Sequence, residues 1–147
     1  MNFAAIGLGS FGLKRAKAIK DSKQGELKVI FDTNKEIANK ASEELKVPVK
    51  DYREILADNT IDVVAICTPN KFHKEIIIDA LNANKNVFCE KPLARNFKEA
   101  EQIYEVAKKS KKNVQVGSNH RYFESVKYAK KLVDEGAIGE VLSFNGR

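Results

Sequence analysis

Short apolar runs alternate with helix-period stretches along nearly the whole chain, and this alternation constrains the fold more than any other feature. Residues 3–6, 27–31, 61–67, 86–89 and 114–116 read as strands, the 61–67 run being rich in β-branched side chains. Between them, residues 11–20, 34–45, 52–57, 72–83 and 97–110 repeat apolar positions at helical spacing. Ile37, Ala38, Ala41 and Leu45 share one helix face, and Ala100, Ile103, Tyr104 and Ala107 another. Val47-Pro48-Val49 is a short strand at best. Strands that read as continuous apolar runs need cover on both faces. Strand–helix–strand units with right-handed crossovers then give an α/β fold, a doubly wound parallel sheet in three α/β/α layers.

The turn after the first strand carries the sharpest motif. Gly7-Leu8-Gly9-Ser10-Phe11-Gly12 leaves a strand and opens a helix. In that context the first glycine permits a tight turn, the second lets backbone approach a pyrophosphate, and the third lets helix and strand pack closely. The helix N-terminus adds free N–H groups and a favourable dipole for the anion. Taken alone, the glycines also fit an ordinary strand-to-helix turn. Asp32, at the end of the second strand and 20 positions beyond Gly12, argues for more. An acid there accepts hydrogen bonds from the adenosine ribose diol and repels a 2′-phosphate. Thr33 and Asn34 follow it instead of an arginine, although Lys35 is close, so NAD is favoured over NADP. The cofactor set read here is Gly7, Gly9, Ser10, Phe11, Gly12, Asp32 and Thr33.

Charge and cysteine usage remove other classes. The net charge is +6, from 26 Lys and Arg against 20 acids, but the lysines are spread over every helix beside acids. The densest run, Lys108-Lys109-Ser110-Lys111-Lys112, falls at a helix C-terminus, where cations complement the dipole. Few aromatics interleave with them, so no nucleic-acid partner is expected. No apolar run approaches the roughly 20 residues of a membrane span, so no membrane partner is expected. The 2 cysteines, Cys67 and Cys89, form no disulfide framework and no metal-ligand set. They read as small buried side chains in a reduced compartment, and a cytoplasmic location is expected.

Two further clusters fall at strand C-termini, where a doubly wound sheet binds its ligand. After the 61–67 strand, Thr68, Pro69 and Asn70 border the crevice. Asn70 suits a helix N-cap equally well. His73 faces either the crevice or the next strand, as a ligand contact or a packing histidine. After the 86–89 strand come Glu90, Lys91 and Pro92. A lysine there, near the nicotinamide position, can exchange a proton with a substrate hydroxyl. A surface lysine in a turn is the plain alternative.

Together these residues resemble the Gfo/Idh/MocA oxidoreductase family. The resemblance rests on Gly7 to Gly12, Asp32, Thr68-Pro69-Asn70 with His73, and Glu90-Lys91-Pro92. It continues through Val116-Gly117-Ser118-Asn119-His120-Arg121 and the 129–141 stretch, covering essentially the whole chain. It implies an NAD-dependent dehydrogenase that moves hydride between nicotinamide and a carbinol carbon of a sugar, sugar nucleotide or polyol. By resemblance Lys91 is the active-site lysine, and Glu90 lies beside the nicotinamide ribose. Asn119 and Arg121 border nicotinamide and substrate, with Thr68, Pro69, Asn70 and His73 on the cofactor side. Family members add an antiparallel α+β domain and run to roughly twice this length, as two-domain chains do.

The expected division follows. Residues 1–120 form the cofactor domain, and 121–139 a connecting helix with Val126, Ala129, Leu132 and Val133 apolar. Residues 140–147, alternating over 140–145, form the first strand of a second domain. The family's second-domain catalytic histidine and its acidic partner have no counterpart, so this chain alone is expected to bind cofactor without turnover. The full-length protein is expected to be a homo-oligomer. Lys91–Pro92 is a candidate cis peptide bond. A non-enzymatic, redox-sensing dinucleotide module is the competing reading. It uses the glycines and Asp32 and leaves Glu90, Lys91, Asn119 and Arg121 without a role.

Overall fold

The computed structural model describes residues 1–145. It divides into two compact units, Met1–Gly117 and Ser118–Arg147. The first contains β1 (Asn2–Ile6), α1 (Ser10–Asp21), β2 (Glu26–Phe31), α2 (Lys35–Leu45), α3 (Tyr52–Ala57) and β3 (Val63–Ile66). A 3-10 turn (Asn70–Phe72), α4 (His73–Asn82), β4 (Asn86–Glu90), α5 (Phe97–Ser110) and β5 (Val114–Gly117) follow. The five strands are parallel in the order β2-β1-β3-β4-β5. The chain runs outwards from β1 in both directions, so the order reverses between β1 and β3. The register pairs Ile6 with both Phe31 and Ile66, Ile66 with Cys89, and Glu90 with Gly117. The strand C-termini therefore line one edge of the sheet.

Alternation along β1 builds the three layers. Ala5 turns towards Ala16, Ala38, Ala41 and Leu45 of α1 and α2. Ile6 turns the other way, towards Ile77, Ala80 and Leu81 of α4 and Ile103 of α5. Ile30, Ile66, Ile77 and Ile103 are almost wholly removed from water, and each such side chain contributes about 1.5–3 kcal/mol relative to an exposed one. The helix starts are set locally. The Asn34 side chain accepts from the amides of Glu36 and Ile37, Asp51 and Glu54 form a reciprocal capping box, and Asn96 accepts from the amide of Glu99.

The structure departs from the sequence reading at strand and helix ends. The 61–67 strand is trimmed to Val63–Ile66. Residues 47–49 make only one bridge, between Ile30 and Val49. The Pro48 carbonyl accepts from the Ile30 amide, but Pro48 has no N–H with which to extend a ladder. The 72–83 helix starts at His73, after the 3-10 turn. Asn70 lies inside that turn, and its side chain caps neither it nor α4. The Lys91–Pro92 peptide bond is cis, as expected.

The second unit holds a 3-10 turn (Asn119–Tyr122) and α6 (Glu124–Asp134). The strand expected over 140–145 does not form. A strand takes its hydrogen bonds from a neighbour, and among the described residues nothing pairs with this segment. Leu142 and Phe144 are 88% and 91% exposed. Residues 146 and 147 of the expected division lie outside the described residues. No helix among the described residues is long and apolar enough to cross a membrane.

Candidate cofactor and active site

An open crevice of about 650 Å³ lies at the C-terminal ends of β1, β2 and β3. It is lined by Gly7, Gly9, Ser10, Phe11 and Gly12 on one side, by Asp32 and Thr33 on a second, and by Thr68 and Pro69 on a third. These are nine of the residues singled out in the sequence, here on the walls of one cavity.

The three motif glycines have separable causes. Gly7 has φ +85°, and a Cβ there would approach the Thr68 amide nitrogen to 2.7 Å. A Cβ on Gly12 would sit 1.9 Å from the Gly7 carbonyl oxygen. The fold itself therefore demands both. Gly9 is different. Its φ of −58° and ψ of −176° are open to other residues, and a Cβ there would meet nothing within 4 Å. The space beside Gly9 suits a ligand that approaches the backbone. Gly9 is also the N-cap of α1, whose first turn has no acid and, among the described residues, no side-chain cap. The amides of that turn thus remain available to an anion. On this observation the residues present fit a dinucleotide pyrophosphate.

Asp32 braces the same loop. Its Oδ2 accepts from the Leu8 amide at 2.7 Å and its Oδ1 from the Asn34 amide at 2.8 Å. A carboxylate has about four lone-pair sites, so both oxygens keep capacity for a ribose diol. Thr68 contributes a buried hydroxyl for which the described residues offer no hydrogen-bond partner. Buried hydroxyls are normally paired, and Thr68 lines the crevice.

The sequence reading missed the apolar wall made by Phe31, Ile37, Tyr52, Phe72 and Ile76. The Phe31 and Tyr52 rings lie 6.2 Å apart. The Tyr52 hydroxyl donates to Asp79 at 2.9 Å. Burial first, and Asp79 second, push this phenol well above its ordinary range. Helical spacing of Phe72 and Ile76 was the available signal, but it reads equally as core.

Glu90 ends β4 and Lys91 follows it, exposed. The Glu90 carboxylate is ion-paired with Arg15 of α1 and accepts from the Lys91 amide at 3.3 Å. The Arg15 guanidinium also lies 5.6 Å from the Phe88 ring centroid. Gly117 leaves room for this carboxylate, since a Cβ there would come within 3.2 Å of it. Cys67 and Cys89 are free thiols, each pushed up to about 12, foremost by burial. Both stay protonated and poorly nucleophilic at neutral pH. Among the described residues no group of His, Cys, Asp or Glu could hold a metal ion.

His73 is not among the residues that line the crevice. Its ring is 1% exposed, and its nitrogens face the Pro92 carbonyl at 2.9 Å and the Thr68 carbonyl at 2.8 Å. The side chain points into the protein between two loops, the packing alternative of the sequence reading. Asn70 is exposed and is not part of the crevice wall. Asn119 and Arg121 belong to the 3-10 turn of the second unit, where both are exposed.

Comparison with known proteins agrees with this geometry. The family model for an oxidoreductase family with an NAD-binding Rossmann fold, GFO_IDH_MocA, matches residues 1–118. The chain is 42% identical over 121 residues to the levoglucosan dehydrogenase of Pseudarthrobacter phenanthrenivorans, a match covering 81% of this chain and 31% of that one. It is 32% identical over 147 residues to the inositol 2-dehydrogenase of Salmonella typhimurium, covering 97% and 44%. Among solved structures, the scyllo-inositol dehydrogenase of Lactobacillus casei with bound NAD(H) and scyllo-inositol superposes with a TM-score of 0.89. That match has 31% identity and covers 95% of this chain and 42% of that one. The chain thus spans less than half the length of these relatives.

Proposed function

The chain belongs to the Gfo/Idh/MocA oxidoreductase family and carries its NAD-binding Rossmann fold, and from that premise we propose that it is the cofactor half of an NAD-dependent dehydrogenase of sugars or polyols. The observation that carries the cofactor assignment is Gly9, a glycine that the fold leaves free, at the uncapped start of α1. The amides of the first turn of α1 bind the pyrophosphate. Asp32 accepts from the adenosine ribose and disfavours a 2′-phosphate, which supports NAD over NADP. The bound nicotinamide supplies the hydride acceptor or donor.

Lys91, exposed at the C-terminal end of β4, moves a proton to or from the substrate hydroxyl as the carbinol carbon is oxidised or its ketone reduced. Glu90 lies beside the nicotinamide ribose, and Asn119 and Arg121 border nicotinamide and substrate, assignments that rest on resemblance to the family. The named relatives, an inositol 2-dehydrogenase and a levoglucosan dehydrogenase, act on polyhydroxylated rings by their names, which supports a substrate of that class. A redox-sensing module has no use for Glu90 and Lys91, so the enzyme reading accounts for more of the chain.

A fluorescence titration of the 147-residue chain with NADH, run beside NADPH, tests the cofactor half. Saturable binding with NADH preferred is expected, and Asp32→Ala should narrow the preference. Equal or tighter binding of NADPH removes the Asp32 assignment. Binding of neither removes the crevice as a self-sufficient site.

A further inference from the structure

We propose that His73 is a positioning residue for Lys91, coupling the loop that carries the lysine to the loop that walls the cofactor crevice. The inference rests on the reading of Lys91 as the proton-transfer residue. The two loops follow neighbouring strands, β3 and β4, and each presents a carbonyl to the same ring. His73 Nε2 faces the Thr68 oxygen at 2.8 Å, and Nδ1 faces the Pro92 oxygen at 2.9 Å. Whichever tautomer is present, at least one of these carbonyls receives an N–H. His73 is 1% exposed, so solvent does not reach the ring in the folded chain.

The placement is specific. Thr68 forms crevice wall, and its side chain packs beside Gly7 of the phosphate loop. Pro92 is the residue directly after Lys91. His73 starts α4, whose residues Ile77, Ala80 and Leu81 are locked in the core beneath β3 and β4. The imidazole therefore packs between the cofactor wall and the backbone of the lysine loop, against both carbonyls and hydrogen-bonded to at least one, on a helix anchored in the core. A displacement of about 1 Å in a reacting group can cost about a hundredfold in rate, so a lysine on an exposed turn needs such a tie.

Hydrogen exchange of the 147-residue chain, with and without saturating NADH, tests this. In the parent chain, NADH is expected to protect residues 7–12 and also 90–95. In His73→Phe, protection of 7–12 should persist, while the NADH-dependent protection of 90–95 falls about five- to tenfold, the size of one lost hydrogen bond. A residue that only filled core space would loosen the fold at large and leave the NADH-dependent gain at 90–95 intact, and that result overturns the proposal. If His73→Phe does not fold, His73→Asn decides, because its short amide cannot span both carbonyls. Parent-like protection at 90–95 in that variant also overturns the proposal. Absence of protection at 7–12 in the parent chain is a different failure, since it removes the cofactor site itself.

Discussion

The crevice floor at β1 and α1 and the C-terminal end of β4, which carries Lys91, are built on different principles. The floor is made of backbone. Its shape comes from a positive φ at Gly7 and from the absence of a side chain at Gly12, and one carboxylate, Asp32, pins it from the adjacent strand. The end of β4 is made of side chains held by distant partners. Glu90 is held by Arg15, 75 residues earlier, and the Pro92 carbonyl packs against the ring of His73, 19 residues earlier. A backbone site tolerates almost no substitution at the two glycines that shape it, Gly7 and Gly12. A site of braced side chains fails in steps, one brace at a time.

The largest effects should therefore fall on the floor. Gly12→Val places a Cβ against the Gly7 carbonyl, where nothing can yield without moving the phosphate loop. We expect a loss of about 3 kcal/mol or more in urea unfolding and no measurable NADH binding. Lys91→Ala should come next, tested in the longer protein. Turnover should fall by about a hundredfold or more, with NADH affinity within about twofold of the parent because the floor is untouched. Parent-like turnover would make Lys91 a surface residue of the turn. Gly9→Ala should be milder and of the opposite kind to Gly12→Val. Stability should change by less than about 1 kcal/mol, the range of a cap substitution, while NADH affinity drops. Unchanged affinity would show that nothing approaches Gly9.

The same contrast explains what the sequence disclosed. The floor was legible because local backbone geometry dictates residue type at fixed spacing. Gly7, Gly12 and Asp32 each sit where a specific φ, a specific close approach or a specific acceptor is needed, and all lie within one strand–helix–strand unit. The sheet was legible for a similar reason, since buried parallel strands such as β3 leave a run of apolar residues. Pairings across the chain left no such trace. Arg15 looked like one more basic residue on α1, and His73 like a possible ligand contact, because neither spacing nor composition says where a side chain ends. Residues 140–145 misled in the other direction. Their alternation is a strand pattern, but alternation supplies no partner, and without one the segment stays irregular.

The brace at Glu90 gives the cleanest division between the two regions. The Glu90 side chain is 12% exposed and that of Arg15 31%, so the pair lies between the surface and the interior. Breaking a fully buried pair costs about 3–5 kcal/mol and an exposed one under about 1. For Arg15→Met a loss of about 1–2 kcal/mol follows, because Glu90 keeps the Lys91 amide and partial access to water. A double-mutant cycle with Glu90→Gln isolates the pair, and a coupling of about 1 kcal/mol is expected. NADH affinity should barely change if the floor is self-sufficient, whereas turnover in the longer protein should fall through a lower kcat. A fall in NADH affinity matching the fall in turnover would mean that Arg15, rising from α1, serves the phosphate loop rather than the lysine loop. The two regions would then be one.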